Sequence, residues 1–433
     1  MRASGTVAAL GGLLAGLVGG LAAGLAGGLL ASPAAAEARL IHLTDDGTPA
    51  GTPLLRGFGR PAVWQAVGVA DGRVLLAVSA RDGTTDTAAL LAIDPETARP
   101  VVLDTLRAAS NRVGNWLEGE RQTQVNAFLH PGPGGTVWLG SFADTRGAGP
   151  GVAAPGAGRG GHLYARAPRA DRLEDVTARL PYALTRDGAL LRNPGRPGPR
   201  SGIVAAGEGI AGLAYNAAVP DTLYALAYPS GRILRIEPEA GRLQVLPELR
   251  AGHPLAHLDV EGDLYFTSPE DGGSTLSRLR GATAEPLARG LPPGGLTALA
   301  PRRDGRIVYG LLGTTSEIWG LDTRREKLLP AFRRRCGRGP ARAEWRAMNL
   351  TLSADERHLF VVTAGPDAAL WAISLSRRRC QRILPLDAVL EGRNVALGGY
   401  GAKDAAGRLY LAAWREGDGD GDLAVLRVDL PGE

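Results

Sequence analysis

The chain has 433 residues, of which 62 are glycine and 30 are proline, and its formal net charge is +5. Abundant turn residues between short apolar runs exclude a helical bundle and favour an all-β fold. The 49 basic residues are matched by 44 acidic ones, and no basic stripe with interleaved aromatic residues occurs. Nucleic-acid binding is therefore excluded as a function class.

The N-terminus is typical of a targeting segment. Arg2 precedes an uncharged Gly/Ala/Leu run over 7–30, and Ala34-Ala35-Ala36 offers a cleavage site before Glu37. We predict a signal-peptide helix within residues 1–36, cleavage that leaves no stable membrane span, and a periplasmic or secreted protein. The alternative is an uncleaved anchor, because the apolar run is long enough to cross a bilayer.

One short phrase recurs seven times: a turn residue, a polar spacer, and a run of strand-forming apolar residues. The copies lie at 72–76, 135–139, 221–225, 262–266, 305–309, 357–361 and 407–411. An apolar stretch precedes each copy and a further strand pattern follows it, with a fourth after most copies, which predicts four antiparallel strands per repeat. We predict one all-β domain over 37–433, a seven-bladed β-propeller. The blades are expected near 61–103, 122–176, 210–247, 255–288, 296–330, 347–385 and 394–430.

The two termini are predicted to close the ring together. The seventh repeat ends at Leu430 after its third strand, whereas an extra strand pattern stands at 39–43. Each blade of a propeller buries its faces against its neighbours, so the ring has to close. We therefore expect Arg39–Leu43 to be the fourth strand of the last blade.

The repeats resemble those of known propellers. Ser353–Val361 resembles the Ser-x-Asp-x-x-x-Leu-aromatic-Val repeat of the YVTN and TolB-type propellers. Asp71-Gly72-Arg73, 304–306 and 407–410 are similar to degenerate copies in NHL and regucalcin/gluconolactonase-like propellers. The resemblance implies the propeller fold. It also implies, as an alternative function, a metal-dependent lactonase that uses a divalent ion such as Ca²⁺. The acidic and amide metal cluster of those lactonases has no residue-by-residue counterpart here, so no metal ligand is assigned.

Loops that lead into innermost strands are the usual ligand sites of propellers, and three of them are unusually polar and aromatic. They are 115–122, 344–346 and 391–394, with Tyr400 nearby. Exposed Trp beside carboxylates and Arg suits a sugar, a sugar lactone or a peptide. The predicted ligand-binding residues are Trp116, Arg121, Gln122, Trp345, Arg346, Arg393, Asn394 and Tyr400. The candidates for a catalytic base or metal ligand are Glu118, Glu120 and Glu344. Alternatively, Trp116 and Trp345 pack between blades and the charges lie on the rim.

Weaker patterns have simpler structural interpretations. Gly156–Gly161 matches G-x-G-x-x-G, but a coil precedes it and a strand follows, so we interpret 144–161 as a surface insertion, like 184–208. Asp418–Asp422 alternates carboxylates as an acidic hairpin tip or a Ca²⁺ site. Arg324-Arg325 and Arg377–Arg379 fall in turns expected on one face, either as a solvated rim or as a dock for an acidic partner or anionic headgroups.

The two cysteines, Cys336 and Cys380, leave two alternatives open. An exported protein favours a disulfide. The two positions tend toward opposite strand faces, however, and a bridge requires Cα atoms within about 7 Å of each other. Two buried free thiols are the second alternative.

These patterns predict a binding or protein-interaction module of the bacterial envelope, because the polar loops come with no recognisable catalytic motif. The expected partners are a small molecule or an envelope protein, and the expected state is a monomer. The alternative is a metal-dependent hydrolase or lactonase, so the sequence leaves open whether the protein is an enzyme.

Overall fold

A computed structural model describes most of the chain from residue 36 to residue 431. The described ranges are 36–43, 66–82, 85–97, 99–129, 134–143, 160–180, 182–184, 190–192, 202–205, 207–215, 221–250, 257–258, 264–280, 283–291, 296–312, 317–334, 346–365, 368–395, 401–414 and 423–431. Several predicted features lie outside them: residues 1–35 of the predicted signal segment 1–36, the Asp418–Asp422 tip, Cys336, Glu344, Trp345 and Tyr400. No described helix is long and apolar enough to span a membrane.

The described secondary structure is mostly β. The strands are β1 (Glu37–His42), β2 (Ala66–Ala70), β3 (Arg73–Asp82), β4 (Thr85–Ile93), β5 (Pro100–Thr105), β6 (Gln122–Leu129), β7 (Val137–Ala143), β8 (Leu163–Arg166), β9 (Glu174–Asp175), β10 (Tyr182–Leu184), β11 (Leu190–Arg192), β12 (Gly209–Tyr215), β13 (Leu223–Tyr228), β14 (Arg232–Glu237), β15 (Arg242–Arg250), β16 (His257–Leu258), β17 (Leu264–Glu270), β18 (Gly273–Arg280), β19 (Thr283–Leu291), β20 (Leu296–Pro301), β21 (Ile307–Leu312), β22 (Ile318–Asp322), β23 (Lys327–Arg334), β24 (Arg346–Leu352), β25 (His358–Ala364), β26 (Ala369–Ser374), β27 (Arg379–Pro385), β28 (Asn394–Val395), β29 (Ala402–Lys403), β30 (Arg408–Trp414) and β31 (Leu423–Asp429). The helices are α1 (Leu106–Arg112), a 3-10 helix (Val176–Arg179) and α2 (Asp387–Leu390).

Consecutive strands pair antiparallel into small sheets. Sheet I is β2–β5, sheet IV is β16–β19, sheet V is β20–β23 and sheet VI is β24–β27. Sheets II (β6–β9) and III (β12–β15) are joined by one residue pair, Gly209 with Phe142. The apolar run of each copy lies on the strand that is second in the pairing order of its sheet, which confirms that these runs form strands. Buried apolar side chains fill the spaces between neighbouring sheets, an arrangement that is β-propeller-like.

The N-terminal strand joins the last sheet, as the sequence predicts. Sheet VII contains β28 to β31, and β1 pairs antiparallel with β31 from Glu37–Asp429 to His42–Ala424. Ile41 is 2% exposed and packs in the core with residues of sheets I, II and VII. The two ends of the described chain are therefore held together by a strand ladder and a shared core.

Arginines link neighbouring sheets along one edge. We call this the turn edge, because it carries the turns between the first and second and between the third and fourth strands of each sheet. Arg166 donates to Asp71 at 2.9 Å between sheets II and I, and Arg302 donates to Glu356 at 3.1 Å between sheets V and VI. Arg408 of sheet VII pairs with Glu96 of sheet I. These pairs join side chains that are far apart in sequence.

Cys380 lies on the outer strand β27 and is disulfide-bonded. The other cysteine of the chain, Cys336, falls outside the described residues. The pairing of Cys336 with Cys380 therefore stays a prediction.

Candidate functional site

A buried histidine lies between two carboxylates beneath the loop that leads into β6. We call residues 115–121 the approach loop. The His162 Nδ1 is 3.0 Å from Asp175 Oδ2, and its Nε2 is 3.0 Å from Glu120 Oε1. All three side chains have 0% exposure. A desolvated charge is tolerated when it is paired and hydrogen-bonded, and both ring nitrogens of this histidine face a carboxylate.

Asp175 is the hub on one side of the ring. Its Oδ2 accepts from the Ser110 hydroxyl at 2.7 Å and from the Asn115 amide at 2.8 Å. Its Oδ1 accepts from the Thr177 N–H at 3.0 Å, where it caps the 3-10 helix. Tyr164 Oη lies 3.0 Å from Ser110 Oγ. Asp175 therefore joins α1, the approach loop and β9 through one carboxylate.

Glu120 is the hub on the other side. Its Oε2 accepts from the Leu117 N–H at 2.9 Å, which closes the turn of the approach loop. Its Oε1 accepts from the Gln122 side-chain amide at 3.0 Å. Gln122 in turn accepts from the Ser141 hydroxyl at 2.7 Å and donates to the Gly160 carbonyl at 3.2 Å. The approach loop is thus fixed to β7 and to the segment before β8.

The electrostatics favour a charged His162. Burial alone would lower the pKa of His162, but Asp175 and Glu120 outweigh it and raise that pKa to about 9. Burial alone would raise the pKa of Asp175, but the His162 charge and the Ser110 and Asn115 donors lower it below its usual value of 3.8. At neutral pH the cluster is an imidazolium between carboxylates.

These opposite shifts predict a pH window of maximal stability. His162 makes its full contribution to the free energy of unfolding below a pH of about 6.5, and this contribution is lost as the pH rises to about 9. The Asp175 contribution is complete above its ordinary pKa of 3.8 and is lost as the pH falls through its lowered pKa. We expect the unfolding free energy to decline by ~3 kcal/mol between about pH 6.5 and 9. Urea titrations across that range would measure it, and a His162→Gln variant should lack this decline.

Close backbone packing holds the cluster. A Cβ on Gly161 would lie 2.0 Å from the Ser141 carbonyl oxygen, and one on Gly160 would lie 2.0 Å from the Val204 carbonyl oxygen. Ile203, Val204 and Ala205 are buried against this turn. The prediction that 144–161 and 184–208 are surface insertions is therefore wrong for Gly160–Gly161 and for 202–205. The glycines are needed there for close approach and not for a phosphate loop.

The structure corrects the exposure expected in the approach loop. Glu120, a candidate catalytic base or metal ligand, and Gln122, a predicted ligand-binding residue, both have 0% exposure because their polar atoms are turned into the cluster. Glu118 is exposed, and Trp116 and Arg121 are half-buried. The part of this loop that faces solvent is therefore Trp116 to Gly119 with Arg121.

Arg393, a predicted ligand-binding residue, is also buried. Its side chain is 2% exposed and donates to Glu391 at 2.7 Å. The guanidinium also lies 3.5 Å from Nδ1 of His42 in β1. Arg393 thus ties the end of α2 to the closing strand. Arg346 and Asn394 are the first residues of β24 and β28, and the structure does not describe their side chains. Glu344, Trp345 and Tyr400 fall outside the described residues.

Sequence reasoning missed His162, Asp175 and Ser110, and it included Asn115 only as the first residue of the polar loop 115–122. The available signal was weak: a histidine directly before an apolar strand and an aspartate just before a helical turn. Among the described residues, no group of three or more His, Cys, Asp or Glu is arranged to hold a metal ion. In the His162 cluster the carboxylates contact different ring nitrogens, so they do not converge on one point.

Comparisons with known proteins support the fold class. No family model and no curated protein matches this chain. A chain of the mitotic checkpoint complex aligns with a TM-score of 0.50 and 12% identity over 89% of this chain and 95% of that one. Oligogalacturonate lyase from Vibrio parahaemolyticus aligns with a TM-score of 0.48 and 11% identity over 92% and 98%. A putative 6-phosphogluconolactonase from Bacteroides uniformis aligns at 0.42 and 13% over 74% and 83%. At 12% identity the likeness to the checkpoint-complex chain concerns the fold alone. The sheets of the structure itself show that this fold is β-propeller-like.

Proposed function

We propose that this chain is an exported seven-bladed β-propeller that serves as a non-catalytic binding module of the bacterial envelope. One observation carries the proposal: the buried cluster anchors the approach loop, and the same loop holds exposed Glu118 and half-buried Trp116 and Arg121. The acid–base groups of His162, Asp175 and Glu120 have no exposed surface and are committed to internal contacts. They suit support of the loop, not catalysis.

The chemistry of the loop indicates the class of ligand. An aromatic face beside a carboxylate and a guanidinium fits the apolar face and hydroxyls of a sugar, or the side chains of a peptide. A loop fixed before binding loses less conformational entropy on contact, which favours binding over a flexible loop of the same composition. The sevenfold repeat and the β1–β31 closure supply the rigid scaffold.

A glycan and peptide array tests this proposal. We expect the full chain to bind at least one array member, and Trp116→Ala to weaken that binding by about 30-fold, the effect of a hot-spot aromatic residue. Glu118→Gln should also weaken it. Glu270→Gln, at an exposed position on β17, is the matched control and should bind as the wild type does.

The same preparations test the opposite outcome. The proposal predicts no turnover of a lactone panel with Ca²⁺ or other divalent ions present. Stoichiometric divalent metal, together with turnover that is lost in Glu118→Ala or Glu344→Ala, would overturn the non-catalytic assignment and establish the hydrolase alternative.

A further inference from the structure

Four turns of sheets V and VI form one continuous surface on the turn edge. We call 302–306, 322–327, 353–357 and 374–379 the basic turns. The Thr323 N–H donates to the Arg306 carbonyl at 2.9 Å, which joins the two turns of sheet V. Arg302 donates to Glu356 across the two sheets, and the Leu375 N–H donates to the Arg357 carbonyl at 2.9 Å. Each turn therefore contacts the next.

This surface carries a local surplus of positive charge. The basic turns contain ten Arg and Lys residues against five Asp and Glu residues. Arginines of other sheets on this edge, such as Arg166 and Arg408, are engaged with carboxylates of neighbouring sheets.

Several guanidinium groups of the basic turns remain available. Arg324, Arg377 and Arg379 are exposed, and within the described part of the chain their side chains form no ion pair. Arg325 and Arg357, at 73% and 81% side-chain exposure, are only loosely placed near Asp322 and Asp355, at 3.9 and 3.7 Å. A guanidinium binds phosphate oxygens in a fork geometry, so an array of them suits a surface of phosphate groups.

The surface lacks the features of a protein interface. Protein interfaces are anchored by buried aromatic or apolar side chains surrounded by a polar rim. Among the described residues, the large apolar side chains with the greatest exposure are Val101 and Val113, and neither lies in the basic turns. A charged surface spread over two sheets without an apolar anchor fits the headgroup layer of a membrane better than an acidic protein.

We infer that the basic turns dock the propeller on an anionic phospholipid surface. This inference rests on the proposed export of the chain, which brings it next to envelope membranes. The approach loop lies at the opposite edge of the sheets from the turns. Docking through the basic turns therefore leaves the approach loop directed away from the membrane, where a ligand reaches it.

Vesicle co-sedimentation tests the inference on the full chain. The probes are phosphatidylcholine vesicles and vesicles in which part of that lipid is replaced by phosphatidylglycerol. We expect binding to the anionic vesicles at low salt and its loss at about 0.5 M salt, where charges are strongly screened. A variant with Arg324→Gln, Arg377→Gln and Arg379→Gln should lose about two orders of magnitude in partition coefficient, since each arginine contributes about fivefold.

A control with the same change in charge isolates the position of the arginines. Arg99→Gln and Arg172→Gln, on the turn edge of sheets I and II, and Arg289→Gln, in β19, remove three exposed arginines outside sheets V and VI. Because docking is assigned to the turns of sheets V and VI, this variant should bind anionic vesicles within about threefold of the wild type. The wild type and both triple variants carry the same N-terminal segment. Any vesicle binding that comes from this segment would also be measured with the neutral vesicles. Unchanged thermal melts of both variants would show that the fold is intact.

The outcomes separate this inference from the proposed function. Equal losses in both triple variants, no preference for anionic vesicles, or capture of polyglutamate with the vesicles left free would each overturn lipid docking. If array binding through Trp116 persists in such a case, the binding-module proposal stands. Position-specific vesicle binding without any array ligand would support docking while overturning the role given to the approach loop.

Discussion

Replacing His162 with glutamine is expected to lower the free energy of unfolding by about 3–5 kcal/mol, because it leaves two buried carboxylates without their counter-ion. Glutamine has the volume to fill the site, so the loss reports charge and not a cavity. Both Asp175 and Glu120 have 0% exposure, and water cannot take over the role of the imidazolium. Urea denaturation followed by far-ultraviolet circular dichroism at pH 6 would measure the change.

The matched control removes the whole set of charges. His162→Gln combined with Glu120→Gln and Asp175→Asn leaves no ion in the cluster, so we expect the triple variant to be more stable than the single variant by about 1–3 kcal/mol. A His162→Gln protein within about 1 kcal/mol of the wild type would contradict a charged cluster. A triple variant that loses as much unfolding free energy as the three single substitutions added together would also contradict it.

Ile41→Ser is expected to destabilise the protein by about 3–5 kcal/mol, because it removes a core side chain and places a hydroxyl there. Ile41 is 2% exposed, pairs with Val425 and belongs to the core shared by sheets I, II and VII. Because β1 completes the last sheet, the loss weakens the closure of the ring as well as one contact.

Glu37→Ser on the same strand is the control. Glu37 is exposed at the start of β1, and we expect a change within about 0.5 kcal/mol. Thermal and urea unfolding of the two variants give the comparison. An Ile41→Ser protein as stable as Glu37→Ser would contradict the closure of the ring by β1.

The strands and the closure were accessible to sequence reasoning because they depend on local patterns. A turn residue followed by β-branched and aromatic residues recurs with each sheet, as in Arg357–Val361, and hydrophobic alternation marks the buried face. The closing strand followed from counting, since one repeat lacks a strand and 39–43 supplies it. The pairing of β1 with β31 in the structure confirms that argument.

The buried cluster was not accessible in the same way. Its members come from α1, the approach loop, strand β9 and the segment that precedes β8. Only the packing of the sheets brings them together. Glu120 stands in a polar loop like Glu118, yet one is buried and the other exposed, because only Glu120 reaches a ring nitrogen of His162. Gly160 and Gly161 look like part of a glycine-rich insertion until the backbone that packs on them is known.

Amide hydrogen exchange of the approach loop tests most directly whether the buried cluster supports a binding surface. The N–H groups of Asn115, Leu117 and Glu120 are bonded to Ser110, Glu120 and Leu117, so they should be protected in the wild type. In the His162→Gln variant, under conditions where the protein stays folded, we predict faster exchange at these amides. The exchange rates of amides in sheets V and VI should be unchanged. Exchange in the loop that is unchanged by the substitution would contradict the account.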